Sequence, residues 1–262
     1  MNERTSMKDI IFKVGTLVIA LIALIQPWFI ALYKRIFGKG KINIYESGNI
    51  EIGYSVWGPT IGINGTLRCV NRDIFVYSMN LEIVKNKNKS KHQFEWGLFR
   101  SQKLTLKGEE GEFELPYGFM LITTQPKRYN ISFIDTKTRE EMNTSMIKLT
   151  SEWNTLLSKS IPLGQELRTQ KYSNEFSKLS AHTEAFSKID RLCYWEPSEY
   201  DITLKVMTSK PDQTFEKKWK FNLNEEQVKL LRLNVIKILA DCCSIPLYPL
   251  STFAYSKYES LV

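Results

Sequence analysis

The sequence predicts an α+β fold that is mainly β, with one transmembrane helix at the amino terminus. Three observations support this prediction: an uncharged apolar run from Val14 to Tyr33, alternation of apolar and polar residues from residue 41 onward, and apolar residues at helical spacing after residue 138. Since strands recur at short intervals, we expect an antiparallel β-sandwich-like domain with a helical insertion and a C-terminal helix. With 262 residues and 43% hydrophobic content, the chain can bury a sizeable core without disulfide bonds.

Changes in pattern along the chain divide it into two regions. Residues 1–37 are predicted to form an N-terminal tail and transmembrane anchor, and residues 41–262 a β-sandwich-like soluble domain. A helical insertion is expected at about 138–196. The alternative is a sandwich that ends at Asp135, followed by a small α+β domain.

The apolar run is long enough to cross a bilayer, since a helix rises about 1.5 Å per residue and the hydrocarbon core is about 30 Å thick. A cleaved signal peptide is disfavoured because no small-x-small cleavage site follows the run. The sequence therefore predicts a single-pass protein of the cell membrane. The basic residues that follow the run resemble a stop-transfer flank and are predicted to contact lipid headgroups: Lys34, Arg35, Lys39 and Lys41.

Much of the formal charge of +8 lies beside the apolar run. Residues 1–41 contain seven basic residues against two acidic ones, Glu3 and Asp9. This distribution favours contact with anionic lipid headgroups over a groove that follows nucleic-acid phosphates. The flank after the run has one more basic residue than the flank before it, so the positive-inside rule favours a cytoplasmic C-terminal domain.

Cysteine spacing and glycosylation motifs favour opposite sides of the membrane for the C-terminal domain. The cysteines lack the spacing of a disulfide framework and are predicted to be reduced core thiols: Cys69, Cys193, Cys242 and Cys243. Glycosylation motifs would instead mark a luminal face in a glycosylating host, and four occur, at Asn64, Asn88, Asn130 and Asn143.

A polar amide and a helix breaker, Gln26 and Pro27, interrupt the apolar run. Hydrocarbon cannot satisfy the amide of Gln26, so we expect the anchor to self-associate through hydrogen bonds between helices. Pro27 cannot donate a hydrogen bond to Ala23 and is expected to kink the helix. The alternative is a span from Ile10 to Ile25, with Gln26 and Pro27 at the headgroups and the following basic segment along the surface.

Alternation predicts the strands of the domain. Ile42 and Ile44, and then Ile50, Ile52 and Tyr54, share a parity within each strand and are expected to form one buried face. Further strands are predicted at about 60–70, 74–85, 92–100, 102–106, 113–115, 119–123 and 129–135, and a later hairpin surrounds the turn SKPDQ.

Helical periodicity predicts two helices in the insertion, one including residues 146–157 and one at about 164–192. A last helix begins after Asn224, which can form a capping box with Gln227. The apolar tail after this helix is expected to fold back as a closing segment, with a partner-binding arm as the alternative.

A stretch of alternating lysines is the most distinctive charged feature of the domain. We identify possible anion contacts at Lys85, Lys87, Lys89 and Lys91. The alternative is a solvated hairpin tip whose charges deter edge pairing. A run of glutamates from Glu109 to Glu114 is interpreted as an exposed turn and strand, not a cation site.

The sequence contains no motif typical of catalysis, of cofactor binding or of metal ligation. Its two histidines, His92 and His182, are far apart, and no His-Glu-x-x-His, Gly-x-Ser-x-Gly or phosphate-loop pattern occurs. We therefore expect no catalytic activity, no cofactor and no metal. A concave pocket that contains either histidine would favour an enzyme, whereas a flat surface without convergent polar groups would favour a binding module.

These features predict a membrane-anchored, non-catalytic sensor, effector or interaction protein, an architecture that would suit bacterial stress or antiviral systems. Its β-rich domain would bind a ligand or a protein partner, and its anchor would form a homo-oligomer. One alternative is a membrane-tethered nucleic-acid-binding protein, which requires the lysines from Lys85 to Lys91 to converge with Arg100 on one face. The other is an enzyme with an unrecognised site.

Overall fold

The structure is a computed structural model that describes residues 7–37, 40–100, 113–159, 174–210, 212–245 and 252–260. Several sequence predictions lie outside the described residues. These are the strand at 102–106, most of the glutamate run, the first part of the helix at 164–192, Lys39, and the start of the apolar tail.

A helix, α1 (Met7–Phe37), precedes the domain and continues through Pro27. Its segment Val14–Tyr33 is fully unburied. Among the described residues it is the one helix that is long and apolar enough to cross a membrane. Gln26 and Pro27 therefore lie in an exposed apolar helix, as the sequence predicts.

The domain is mainly β, and the sheet is antiparallel. In chain order the strands are β1 (Lys41–Glu46), β2 (Ile50–Ser55), β3 (Gly58–Val70), β4 (Ile74–Lys85), β5 (Lys91–Arg100), β6 (Phe113–Glu114), β7 (Phe119–Leu121), β8 (Lys127–Ile134), β9 (Ser198–Lys210), β10 (Asp212–Leu223), β11 (Ala254–Ser256) and β12 (Glu259–Ser260). They form one curled sheet in the order β11-β2-β3-β8-β5-β4-β9-β10-β12, with β1 on β3, β6 on β5 and β7 on β4. The two packed sheets of a sandwich are not confirmed, because every described strand belongs to this single sheet.

The C-terminal segment joins the two ends of the curled sheet. Its strand β11 pairs with β2, and its strand β12 pairs with β10. Between them, the ring of Tyr258 packs on Trp219 with centroids 5.3 Å apart. The hydroxyl of Tyr258 also accepts a hydrogen bond from the backbone N–H of Asn64 at 3.3 Å. Residues 252–260 are thus a closing segment, which confirms that interpretation of the tail over a free arm.

In the part of the chain that the structure describes, three helices cover the sheet: α2 (Thr136–Ser158), α3 (Ser180–Leu192) and α4 (Glu225–Cys242). The apolar stripe of α2 is buried through Met142, Met146, Leu149 and Trp153. The start of α4 confirms the predicted capping box, because Asn224 accepts from the N–H of Gln227 at 2.8 Å and the Gln227 side chain accepts from the N–H of Asn224 at 2.9 Å.

The cysteines are free thiols, as predicted. Cys69, Cys193 and Cys243 are buried, and Cys242 is partly exposed at the end of α4. Burial raises the pKa of Cys193 to about 12, so this thiol stays protonated and packs as a small apolar group.

Strand β4 separates two ends of the domain. At its first residue, Ile74, the chain that follows α1 comes close, since Gly40 packs against the side chains of Arg72 and Ile74. Its last residue, Lys85, is about 36 Å away if each of its residues rises about 3.3 Å. The hairpin after Lys85 and the start of α2 therefore lie at the end of the domain far from Gly40.

Candidate ligand pocket

The inner face of the sheet becomes polar at this far end. Phe94 and Trp96 on β5 point into the core, and His92 continues the same face two residues before Phe94. On the neighbouring strand β4, Lys85 continues the inner face of Ile83, and the pair Ile83 and His92 lie opposite each other. Alternation thus turns one cation and one imidazole inward where the apolar core ends.

Asp135 is buried at this polar end and accepts hydrogen bonds from the groups around it. It follows β8 directly and caps α2, its Oδ1 accepting from the N–H of Thr138 at 3.0 Å. Its Oδ2 accepts from the hydroxyl of Thr138 at 2.8 Å and from that of Tyr194 at 3.0 Å. Burial and the Asp135 charge raise the pKa of Tyr194 well above its usual value, so Tyr194 remains a donor.

His92 lies between this carboxylate and the solvent. Its ring stacks on Tyr194 with centroids 3.7 Å apart, and its Nδ1 is 4.0 Å from Oδ2 of Asp135. The side chain is 22% exposed. Burial lowers the pKa of His92 from its ordinary 6.5, and Lys85 lowers it further, against the opposing effect of Asp135. The imidazole is therefore mainly neutral at pH 7 and is sensitive to any charge bound beside it.

A cavity of about 500 Å³ opens onto His92, and we call it the His92 pocket. Its charged lining comprises three cations and two carboxylates: Lys91, Lys137, Arg191, Asp135 and Glu141. With His92 neutral, the formal charge of this lining is therefore +1. The first turn of α2 lies in the same wall and adds the partial positive charge of a helix N-terminus.

The four lysines noted in the sequence do not act as a group. Lys85 is buried, and its Nζ donates to Oε2 of Glu196 at 2.5 Å, which lowers the pKa of Glu196. Lys87 and Lys89 are exposed at the hairpin tip, and Lys91 lines the His92 pocket. Since Lys85 is paired inside the domain, the lysines from Lys85 to Lys91 do not share one exposed face.

The predicted headgroup contacts that the structure describes lie before β1 or at its start. Lys34 and Arg35 belong to the last turns of α1, and Lys41 is exposed at the start of β1. Gln26 and Pro27 lie further back in α1, and the lining of the His92 pocket includes neither these two residues nor Lys41.

A second concavity follows the outer face of α2, with a volume of about 860 Å³. One wall is the Arg139 guanidinium over the Trp57 ring, 4.3 Å from its centroid. Its remaining polar lining consists mainly of exposed amides and hydroxyls on α2, such as Asn143, Ser151 and Asn154. This groove is open to solvent, and its lining residues Arg139 and Asp241 are both partly exposed. It therefore has less capacity for specific binding than the His92 pocket, which is backed by the buried Asp135.

Two residues of the pocket have weak sequence signals. Asp135 could be recognised as a helix cap before Thr138, but nothing in the sequence indicates that Tyr194 donates to it. Among the residues that the structure describes, no group of three or more His, Cys, Asp or Glu side chains is arranged to hold a metal.

The sequence and the fold were also compared with family models, with curated proteins and with solved structures, and none of them matches.

Proposed function

We propose that the protein is a membrane-anchored sensor or effector whose β-rich domain binds a small anionic ligand in the His92 pocket. The observation that supports this most is the convergence of three cations on a cavity backed by the buried cluster of His92, Asp135 and Tyr194. A volume of about 500 Å³ lies within the range of small-molecule sites. Of the sequence-based alternatives, a small ligand therefore has more support than a protein partner.

The chemistry of the pocket favours a phosphate or carboxylate group. Lys91, Lys137 and Arg191 supply charge, Arg191 can form a bidentate pair, and the helix N-terminus adds backbone dipoles. Asp135 holds Tyr194, and Tyr194 holds the ring of His92 by stacking, so the wall is ordered before a ligand arrives. Such preorganisation lowers the entropic cost of binding.

The proposed setting is the membrane, with the domain on the cytoplasmic side and the anchors associated through Gln26. This proposal is supported by the exposed apolar length of Val14–Tyr33 and by the basic residues that follow it. Ligand binding at the far end of the domain would then change the association of the anchor helices in the membrane.

Deletion of residues 1–37 is expected to release a soluble, folded domain. The core of the domain is formed within residues 40–260, and α1 contributes no buried residue in Val14–Tyr33. The measurement is carbonate extraction of membranes for the full chain and the truncated chain, with circular dichroism of the soluble product. Truncated chain that remains in the carbonate-washed membrane would contradict α1 as the anchor.

Substitution of Gln26 by leucine is expected to weaken oligomers in detergent and to leave membrane insertion intact or improved. Interhelical hydrogen bonds of this kind contribute about 0.6 to 2 kcal/mol each. Crosslinking of the full chain measures the effect, with Leu24→Ala, two positions before Gln26, as the control substitution. Equal crosslinking of Gln26→Leu and the parent chain would contradict self-association through the amide.

An enzyme is the second candidate, because the structure contains a concave pocket with His92 in it. A neutral imidazole oriented near a carboxylate can act as a general base. The two candidates differ in the consequence of His92→Gln, which retains a hydrogen-bonding side chain but cannot accept a proton at pH 7. A binding site would keep most of its affinity in this variant, whereas a general base would lose turnover by about 100-fold or more.

A further inference from the structure

One corner of the sheet exposes apolar side chains that the anion pocket does not explain. They belong to β4, to β7 and to the segments directly before and after β7: Tyr77, Leu115, Tyr117, Met120 and Ile122. All of them are large, and all are exposed. Apolar groups gathered at one site are more informative than single exposed residues, which are normal on any surface.

The local structure holds these groups outward. In β7, Phe119 and Leu121 are buried, so the residues between and after them, Met120 and Ile122, face away from the core. The turn after β7 is closed by a hydrogen bond from the N–H of Gln125 to the carbonyl oxygen of Ile122 at 3.1 Å. This hydrogen bond fixes the backbone of the turn that carries Ile122.

The turn is also tied to the start of β4. Asp73 accepts from the backbone N–H of Thr123 at 2.9 Å and from its hydroxyl at 3.1 Å through the same Oδ1. Leu121 pairs with Ile74, the first residue of β4. The apolar corner is therefore fixed to the residues that Gly40 contacts.

This position places the corner beside the anchor. Gly40 packs against Arg72 and Ile74, and it is three residues from Phe37, the end of α1. Three residues of extended chain cover at most about 11 Å. If Val14–Tyr33 spans the bilayer, the apolar corner is thus held within a short distance of the headgroups.

The charges around the corner match an anionic surface. Arg72 lies in the turn before β4, Lys41 begins β1, and Arg128 is exposed near the start of β8. The ammonium of Lys127 lies over the rings of Phe99 and Phe119, 5.7 and 5.6 Å from their centroids. The described carboxylates Asp73 and Glu114 also lie here: Asp73 accepts from Thr123, and Glu114 accepts from the hydroxyl of Tyr117 at 2.7 Å. Apolar side chains with a basic rim are typical of interfacial membrane contacts.

We propose that this corner is a membrane-contact surface, which we define as Tyr77, Leu115, Tyr117, Met120 and Ile122 with the cations Lys41, Arg72 and Arg128. Its partner is the bilayer that holds α1, with anionic lipid headgroups in contact with the cations. The inference rests on the proposed anchoring of the chain. It adds a second contact that fixes the orientation of the domain, with the His92 pocket directed away from the lipid at the far end of β4.

The test places a bimane fluorophore on the full chain in lipid nanodiscs that contain nitroxide-labelled lipid. The labelled positions are Ile122→Cys, 44% exposed on the membrane-contact surface, and Leu230→Cys, 40% exposed on the first turns of α4. Cys242 is replaced by serine in both, since it is the partly exposed native thiol. We expect quenching at residue 122 to exceed that at residue 230 several-fold in discs that contain phosphatidylglycerol.

Four outcomes separate the claims. Equal, low quenching at residues 122 and 230 in chains that have entered the discs would overturn the membrane-contact surface and leave the anchor intact. Chains that fail to enter the discs would overturn the anchoring itself, and with it this inference. Strong quenching at residue 122 that Arg72→Gln with Arg128→Gln reduces, and that pure phosphatidylcholine also reduces, would support both the contact and its preference for anionic lipid. Quenching equal in both lipids would overturn that preference. Met120→Cys is a second label if Ile122→Cys does not fold.

Discussion

Replacement of Asn234 by alanine is expected to lower the free energy of unfolding by about 2–4 kcal/mol. Asn234 is 3% exposed in the middle of α4. Its Nδ2 donates to the carbonyl oxygen of Thr252 at 2.7 Å, and its Oδ1 accepts from the N–H of Thr252 at 2.9 Å and from its hydroxyl at 3.1 Å. Alanine would leave the backbone N–H and carbonyl oxygen of Thr252 without their partner, whereas its hydroxyl could still donate to the carbonyl oxygen of Leu230 at 3.0 Å. The start of the closing segment would lose this fixed position.

The same change should loosen the closure of the sheet. Thr252 precedes β11, so without the Asn234 bonds the pairing of β11 with β2 and of β12 with β10 loses its fixed starting point. Urea unfolding of the anchor-free domain measures the effect, with Leu233→Ala as control, because Leu233 is 62% exposed on the same helix. We expect the control to change stability by about 0.5 kcal/mol or less. Equal effects of the two substitutions would contradict the role of Asn234.

Replacement of Asp135 by alanine is expected to lower the free energy of unfolding by about 2–4 kcal/mol. Loss of the cap on α2 contributes about 1 kcal/mol, and loss of the charged acceptor for Tyr194 contributes about 1.5–3 kcal/mol. The stack of His92 on Tyr194 would lose its support, so the pocket should also become disordered. The measurement is urea unfolding together with the aromatic NMR resonances of the pocket.

Asp135→Asn is the matched control. The amide oxygen can still accept from the N–H of Thr138 as a cap, and the hydroxyl of Tyr194 can accept from the amide nitrogen. We expect a loss of about 1 kcal/mol and retention of the stacked ring. If Asp135→Ala were no less stable than Asp135→Asn, the carboxylate would not organise the pocket as described.

Much of the fold follows from local pattern. The parity of Ile50, Ile52 and Tyr54 placed all three in the core, and the capping box at Asn224 located the start of α4. The closure of the sheet could not be predicted in the same way. Pairing of β11 with β2 joins residues about two hundred positions apart, and the chain between them carries no local signal for that contact.

The pocket was harder to predict than the fold. His92, Asp135 and Tyr194 come from β5, from the end of β8 and from the segment after α3, so their meeting depends on the tertiary structure. The spacing of the lysines predicts one exposed group, but Lys85 shares the parity of Ile83 on β4, which indicates an inward side chain. Strand parity therefore separates Lys85 from Lys87 and Lys89.

The pKa of the His92 imidazole, followed by NMR with and without an added anion, tests the proposed ligand pocket most directly. In the free protein we expect a pKa below 6.5, because burial disfavours the charged ring. An anion held by Lys91, Lys137 and Arg191 would stabilise the protonated ring and raise this pKa, and by linkage its affinity would fall as the pH rises. His182, whose pKa is also lowered by burial, lies outside the pocket lining and serves as an internal control. With inorganic phosphate, pyrophosphate and a nucleoside monophosphate as probes, we predict that at least one raises the pKa of His92 and leaves that of His182 unchanged. If none of the three at millimolar concentration shifts His92, or if both histidines shift alike, the His92 pocket is not an anion site.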